Sequence, residues 1–206
     1  MKTKFQCRLM PASSALSVAA GTRLHNIYRT ARIVCLVSAA TLLAACASME
    51  AAGPKASATL EPRSGSKVSG TVNFQAVGQK LRVEGRIAGL TPGQHGFHVH
   101  EAGDCSAPDA SSAKGHFNPA AKPHGHHGSA ERHAGDMPNL VADSYGNATV
   151  SGEVTLLSLG SDANSILNRS VVIHADPDDY KSQPAGNSGK RVACGTIRAV
   201  TAGSRY

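Results

Sequence analysis

A chain of 206 residues holds one domain of ordinary size with room for a tail, and two large domains would not fit. With 41% hydrophobic and 17% charged residues it is too apolar and too weakly charged for a disordered chain, and 4% aromatics, no Trp and 21 Gly suit short strands and turns better than an aromatic-rich helical core. The formal charge of +7 belongs to the first 45 residues, which carry Lys2, Lys4, Arg8, Arg23, Arg29 and Arg32 and no acid; the remainder holds 15 basic against 14 acidic side chains, so it lacks the basic footprint that nucleic-acid binding needs.

In chain order, the first element is Ile33–Ala45 (IVCLVSAATLLAA), an apolar run that follows Arg29 and Arg32 and ends in small residues. Its 13 residues fall short of the ~20 that a membrane-spanning helix requires, whereas a basic flank, a short apolar run and small residues are the parts of an export signal. Residues 1–45 are therefore expected to be an export signal. At its end, Leu43-Ala44-Ala45-Cys46 resembles the lipobox of bacterial lipoproteins, which implies lipidation of Cys46 and a lipid-anchored tether over 46–55. Ala47 is not the Asp associated with inner-membrane retention, so the expectation is a periplasmic protein anchored to the outer membrane. Cys7 and Cys35 would leave with the signal and lipid would consume Cys46, leaving Cys105 and Cys194 as one even pair in an oxidising compartment. Two free buried thiols are the weaker alternative.

From residue 56 the chain reads as strands and turns. Ala58–Leu60, a turn over 62–66, and Val68–Phe74 suggest a hairpin, and Val68, Gly70, Val72 and Phe74 alternate with polar residues as in a half-buried strand. Leu81, Val83, Gly85 and Ile87 repeat the pattern before a turn at Gly89-Leu90-Thr91-Pro92-Gly93. Ala148–Val154, Ser170–His174 and Arg191–Val200 are the later strand candidates. Between about 101 and 138 the period vanishes, in a Gly-, Pro-, Ala- and His-rich segment far longer than an ordinary connection, for which bound metal is a source of ordering energy. The expected architecture is all-β, a sandwich or barrel with long functional loops over 56–206.

Nine of the ten histidines lie between 95 and 174, eight of them between 95 and 133. Neutral imidazole is the commonest metal ligand and suits copper and zinc. His98 and His100 stand two apart in Gly96-Phe97-His98-Val99-His100; on a strand they share one face while Phe97 and Val99 point into the core. His116, His124, His133 and Asp136 follow at intervals that converge only if the long loop folds, and Asp136 supplies a carboxylate suited to tetrahedral zinc.

The motifs GFHVH at 96–100, Gly103-Asp104-Cys105, His116-Phe117-Asn118-Pro119, Arg132-His133-Ala134-Gly135-Asp136, Val172-Ile173-His174 and Arg191-Val192-Ala193-Cys194-Gly195 together resemble the copper/zinc superoxide dismutases over roughly 56–200. That resemblance implies a Greek-key, immunoglobulin-like β-barrel or sandwich with metal-binding and substrate-channel loops. It implies one copper per chain on His98, His100, His116 and His174, and one zinc per chain on His116, His124, His133 and Asp136, with His116 bridging. Asp178 is implied as the outer carboxylate between His98 and His124, Cys105–Cys194 as the structural disulfide, and Arg191 as the residue beside the open copper position. The implied reaction is the disproportionation of superoxide through copper, with His116 as a proton source and Arg191 docking the anion.

A near-neutral domain implies local steering of the anion, for which Arg191, Lys190 and Lys181 are candidates. His95 is expected to be structural, and His126 and His127, which match no family ligand, to be solvated or to assist metal capture. The stretch from Asp178 to Arg191 is shorter than in animal members, so their charge-steering loop does not transfer. A periplasmic metal-sequestering or copper-delivery protein also accounts for export and histidines, but not for Arg191, Asp178 and a bridging His in register. A catalytically silent domain of the same fold is disfavoured because every implied ligand is present. A zinc hydrolase needs an open zinc position that the four-ligand set closes. The implied partners are superoxide, a membrane reached only through Cys46, no nucleic acid, and a second copy of the chain if the protein is a homodimer.

Overall fold

The computed structural model describes residues 53–201. The expected signal, the lipidation site at Cys46 and most of the tether lie outside these residues. Lys55, read from sequence as the end of the tether, instead opens the first strand, where it pairs with Gln75 and its carbonyl accepts the Val200 N–H.

Ten strands follow in order: β1 (Lys55–Pro62), β2 (Ser69–Val77), β3 (Lys80–Ala88), β4 (Gly93–His95), β5 (Phe97–His100), β6 (Leu140–Ala142), β7 (Ala148–Val154), β8 (Ser170–His174), β9 (Arg191–Thr196) and β10 (Arg198–Ala199). Among the described residues a single 3-10 turn spans Ser111–Ala113. The alternation in β3 is complete: Leu81, Val83, Gly85 and Ile87 are buried while the intervening residues face solvent.

The main sheet runs β5-β8-β9-β1-β2-β3-β7, with β10 beside β1, and a separate antiparallel pair joins β4 to β6. Strand β1 makes the curl: Lys55–Leu60 pair with β2, while Glu61 and Pro62 pair with Cys194 and Ala193 of β9. The non-consecutive neighbours β5–β8 and β3–β7 require long crossing connections of the Greek-key kind, and it is these connections that carry the loop histidines. One apolar core, with Leu60, Val72, Phe74, Val83, Phe97 and Ile173 among its members, fills the concave side. Full burial of each such side chain contributes about 1.5–3 kcal/mol.

Two details differ from the periodicity reading. Strands β4 and β6 have three residues each, too short to show a period. The single strand expected over 191–200 breaks at Ile197, which is fully buried and exchanges main-chain hydrogen bonds with Asn168 and Arg169. Cys105 and Cys194 form the expected disulfide, with a Cα–Cα distance of 5.7 Å, and it ties the loop after β5 to β9.

Candidate metal centre

All four residues of β5 are buried, Phe97 and Val99 within the core cluster and His98 and His100 on the opposite face. The free edge of β5 is covered by two pieces of the long loop. Phe117 N–H donates to the Val99 carbonyl, Val99 N–H donates to the Gly135 carbonyl, and Gly135 N–H donates to Phe117. This pairing sets His116 opposite His100 and Asp136 opposite His98. The approach is so close that a Cβ on Gly135 would collide with the Val99 carbonyl, which explains the glycine. His174 enters from the end of β8, where it pairs across a register shift with Arg191 at the start of β9.

Each ring turns one nitrogen outward to a fixed partner and the other inward. His98 Nε2 meets Asp178 Oδ2 at 2.8 Å, His100 Nδ1 donates to the Lys114 carbonyl at 2.9 Å, and His174 Nδ1 lies 3.4 Å from the Gly189 carbonyl. On the inward side, His100 Nε2 and His174 Nε2 face each other at 3.4 Å, while His98 Nδ1 and His116 Nε2 are buried with no hydrogen-bond partner. An unsatisfied buried polar atom costs about 1–3 kcal/mol. Four imidazole nitrogens of His98, His100, His116 and His174, all within 4.8 Å of one another, are a donor set that a metal ion satisfies.

The second cluster lies on the other nitrogen of His116. Asp136 Oδ1 stands 2.8 Å from His116 Nδ1, 3.1 Å from His124 Nδ1 and 3.3 Å from His133 Nδ1. The other oxygen, Oδ2, accepts the N–H groups of Gly125 and His133, which leaves Oδ1 aimed at the three rings. Three imidazoles and one carboxylate within 4.8 Å fit a closed tetrahedral set.

Asp178 spans the two clusters from outside, with Oδ2 on His98 and Oδ1 2.9 Å from His124 Nε2. Its carboxylate also accepts the Tyr180 N–H. Gly186, at φ +65°, packs against it so closely that a Cβ would strike the carboxylate and the His124 ring.

Electrostatics favour the ligand form at His100, His116, His174, Asp136 and Asp178, and the protonated form at His124. Burial holds His100 and His174 well below the ordinary imidazole range, helped by neighbouring imidazoles and the Arg191 charge. Burial likewise takes His116 down to about 4, against the pull of Asp136. At His124 burial acts downward but is outweighed by Asp136 and Asp178, which raise it to about 9. Burial pushes the Asp136 and Asp178 carboxyls upward, yet hydrogen bonds from the surrounding imidazoles hold both below the usual carboxylate range. Arg191, half-buried, donates to the Ala110 carbonyl at 2.7 Å, and Ala110 belongs to the loop that the disulfide tethers.

Of the eleven residues between 98 and 194 that the resemblance singles out, His98, His100, His116, His124, His133, Asp136 and His174 cluster, Asp178 and Arg191 flank them, and the disulfide pair lies beside them. His95 is buried, with ring nitrogens on the carbonyls of Thr91 and His174, a structural role. His126 is exposed as expected, but His127 is not simply solvated: it is half-buried, its ring centre 4.0 Å from that of His126 at a tilt and 5.8 Å from the Tyr180 ring. Neither joins a ligand group. Lys181 and Lys190 are exposed. Sequence reasoning missed Asn139, whose amide donates to the Asp178 carbonyl and accepts the Asp178 N–H, both at 2.9 Å. It also missed Gln183, which pairs with His124, and the motif that contains Arg132 does not reveal that its guanidinium is buried on the His133 carbonyl and Thr155 hydroxyl. No motif marks Asn139 or Gln183, because their partners are distant in the chain.

Residues 68–197 match the family model described as copper/zinc superoxide dismutase. A copper/zinc superoxide dismutase of Deinococcus radiodurans is 37% identical over 186 residues, covering 84% of this chain and all of the relative. One of Aquifex aeolicus is 49% identical over 115 residues, 53% of this chain and 67% of the relative. An extracellular one of Caenorhabditis elegans is 42% identical over 137 residues, 64% of this chain and 61% of the relative. The crystal structure of the clock protein EA4 is similar with a TM-score of 0.65 and 39% identity, covering 71% of this chain and 94% of that one. With its fold, its paired ligand clusters and these relatives in agreement, the chain belongs to the copper/zinc superoxide dismutase family, whose metals are copper and zinc and whose reaction is the disproportionation of superoxide to dioxygen and hydrogen peroxide.

Proposed function

We propose that His98, His100, His116 and His174 hold the copper, that His116, His124, His133 and Asp136 hold the zinc, and that His116 serves both through its two ring nitrogens. The observation that carries this is the pair of buried, unpartnered nitrogens, His98 Nδ1 and His116 Nε2, within the four-imidazole group. Copper supplies a one-electron redox couple that takes an electron from one superoxide and returns it to the next, which zinc, without accessible redox change, cannot do.

The chain supplies the rest. Arg191 docks the anion as a fixed charge that stays protonated at any working pH, and the Ala110 carbonyl holds it in place. His116 Nε2, once free and protonated from solvent, would pass on one of the two protons that hydrogen peroxide formation consumes, with water delivering the other. Asp178 fixes the rings of His98 and His124 from behind, so both metal sites depend on one carboxylate.

The family reaction would be carried out in the bacterial envelope, protecting it from superoxide. The basic flank, the short apolar run and Leu43-Ala44-Ala45-Cys46 support export over residues 1–45, lipidation of Cys46 and anchoring, through a short tether, of the domain that opens with β1. The Cys105–Cys194 disulfide fits an oxidising compartment such as the periplasm, and Ala47 after Cys46 favours the outer membrane.

Metal analysis tests the ligand sets. The protein reconstituted with both metals should hold one of each per chain; His100→Ala should lose copper and keep zinc, and His133→Ala the reverse. Loss of both metals from either variant would contradict two separate sets.

A further inference from the structure

The loop that carries His124 lacks a regular ladder, and side chains replace it. Asn118 accepts the Lys122 N–H and donates to the Lys122 carbonyl, closing the turn before His124. Gly125 N–H is taken by Asp136. Between them the main chain of His124 has no main-chain partner among the described residues. Both of its polar groups go to one side chain 59 residues away: His124 N–H donates to Gln183 Oε1 at 2.8 Å, and Gln183 Nε2 donates to the His124 carbonyl at 2.9 Å. A carboxamide bonded in both directions to one residue copies the pairing of neighbouring strands, and so fixes that residue in position and orientation.

The position matters because His124 has two demands to meet. Its Nδ1 must face Asp136 Oδ1 and its Nε2 must face Asp178 Oδ1, and these carboxylates belong to different loops. Asp178 is clamped in the same manner by Asn139, so each end of the His124–Asp178 contact is held by an amide side chain from the opposite segment. The two clamps run in opposite senses between the segments 116–139 and 178–190. We propose that Gln183 is a positioning residue of the zinc site: by holding the main chain of His124 it sets the ring that links the zinc ligands to Asp178, and through Asp178 to His98. This rests on the ligand assignment proposed above. Gln183 itself is exposed and belongs to no apolar cluster, so its removal leaves no cavity in the core.

The test compares the purified wild-type protein with Gln183→Ala and Ser182→Ala. The second variant removes two other hydrogen bonds of the same loop, Ser182 Oγ to Asp179 and Asn187 Nδ2 to Ser182 Oγ, without touching His124, and so controls for general loosening. The readouts are retention of zinc against a chelator and the visible ligand-field bands of Co(II) placed in the zinc site. Gln183→Ala is expected to hold zinc about tenfold more weakly, the lower end of what outer partners of metal ligands contribute, and to shift the Co(II) bands. Ser182→Ala is expected to match the wild type. Wild-type-like retention and bands in Gln183→Ala, or equal changes in both variants, would overturn the clasp. A wild-type protein that takes up neither zinc nor Co(II) would overturn the ligand assignment and the clasp with it, a result distinct from normal uptake by all three.

Discussion

At the scale of single residues, several of the clustered imidazoles have one nitrogen fixed from outside. His100 is held by the Lys114 carbonyl and His98 and His124 by Asp178, and in the proposed sites each bond decides which nitrogen is left for metal. Replacing Asp178 by Ala would leave His98 Nε2 and His124 Nε2 without their partner at once. We expect metal affinity to fall by about 10–100-fold, read by competition with a chelator, with zinc affected at least as strongly as copper. Arg191 makes no hydrogen bond to the proposed ligands, and its proposed role is toward the incoming anion alone. Arg191→Ala should therefore keep both metals while kcat/KM falls by about 100-fold or more, as for loss of an oriented cationic donor in an active site. Metal loss in that variant would mean that Arg191 is structural. The i and i+2 spacing of His98 and His100 made these two legible from sequence, since a strand admits one reading of that spacing. Asn139 and Gln183 were not legible, because an amide that clamps a main chain 39 or 59 residues away leaves no local pattern.

At the scale of elements, the strands supply rigidity and the loops supply chemistry. Strand β3 showed its alternation plainly, while β4 and β6 are too short for any period to appear, and the break at Ile197 comes from burial of a residue that periodicity alone would have kept in one strand. The convergence of His116, His124, His133 and Asp136 was readable only through family resemblance, since it depends on Gly135 and Phe117 pairing with Val99. Gly135→Ala is expected to disrupt that pairing and reduce the thermal midpoint, because backbone rather than a flexible side chain stands in the way of the new Cβ. The disulfide acts on the same level. It closes a separation of 89 residues and tethers the loop whose Ala110 carbonyl holds Arg191. Replacing both cysteines by Ser should cost roughly 2–5 kcal/mol in denaturant unfolding, and should lower turnover through Arg191 even where the protein remains folded. Unchanged turnover in a folded double variant would show that the tether does not position Arg191.

At the scale of the whole molecule, the metal centre is also part of the core. His98, His100 and His174 are nearly as buried as the apolar residues beside them, and the long loops have few apolar anchors of their own. Removing the metals exposes the cost of the two unpartnered nitrogens and frees the loops, so the metal-free protein should melt well below the reconstituted one and its 116–136 loop should exchange amide hydrogens first. The near balance of charge beyond residue 45 argues against a global attraction of superoxide, so the proposed attraction relies on local charge near Arg191. The most direct test of the account is superoxide disproportionation by the purified protein reconstituted with copper and zinc, measured beside a His116→Ala variant and metal analysis. Fast, copper-dependent turnover with one of each metal per chain, strongly reduced in the variant and weakened by salt, is the predicted result; tight binding of both metals without turnover would contradict it and identify the protein as a metal-holding member of its fold.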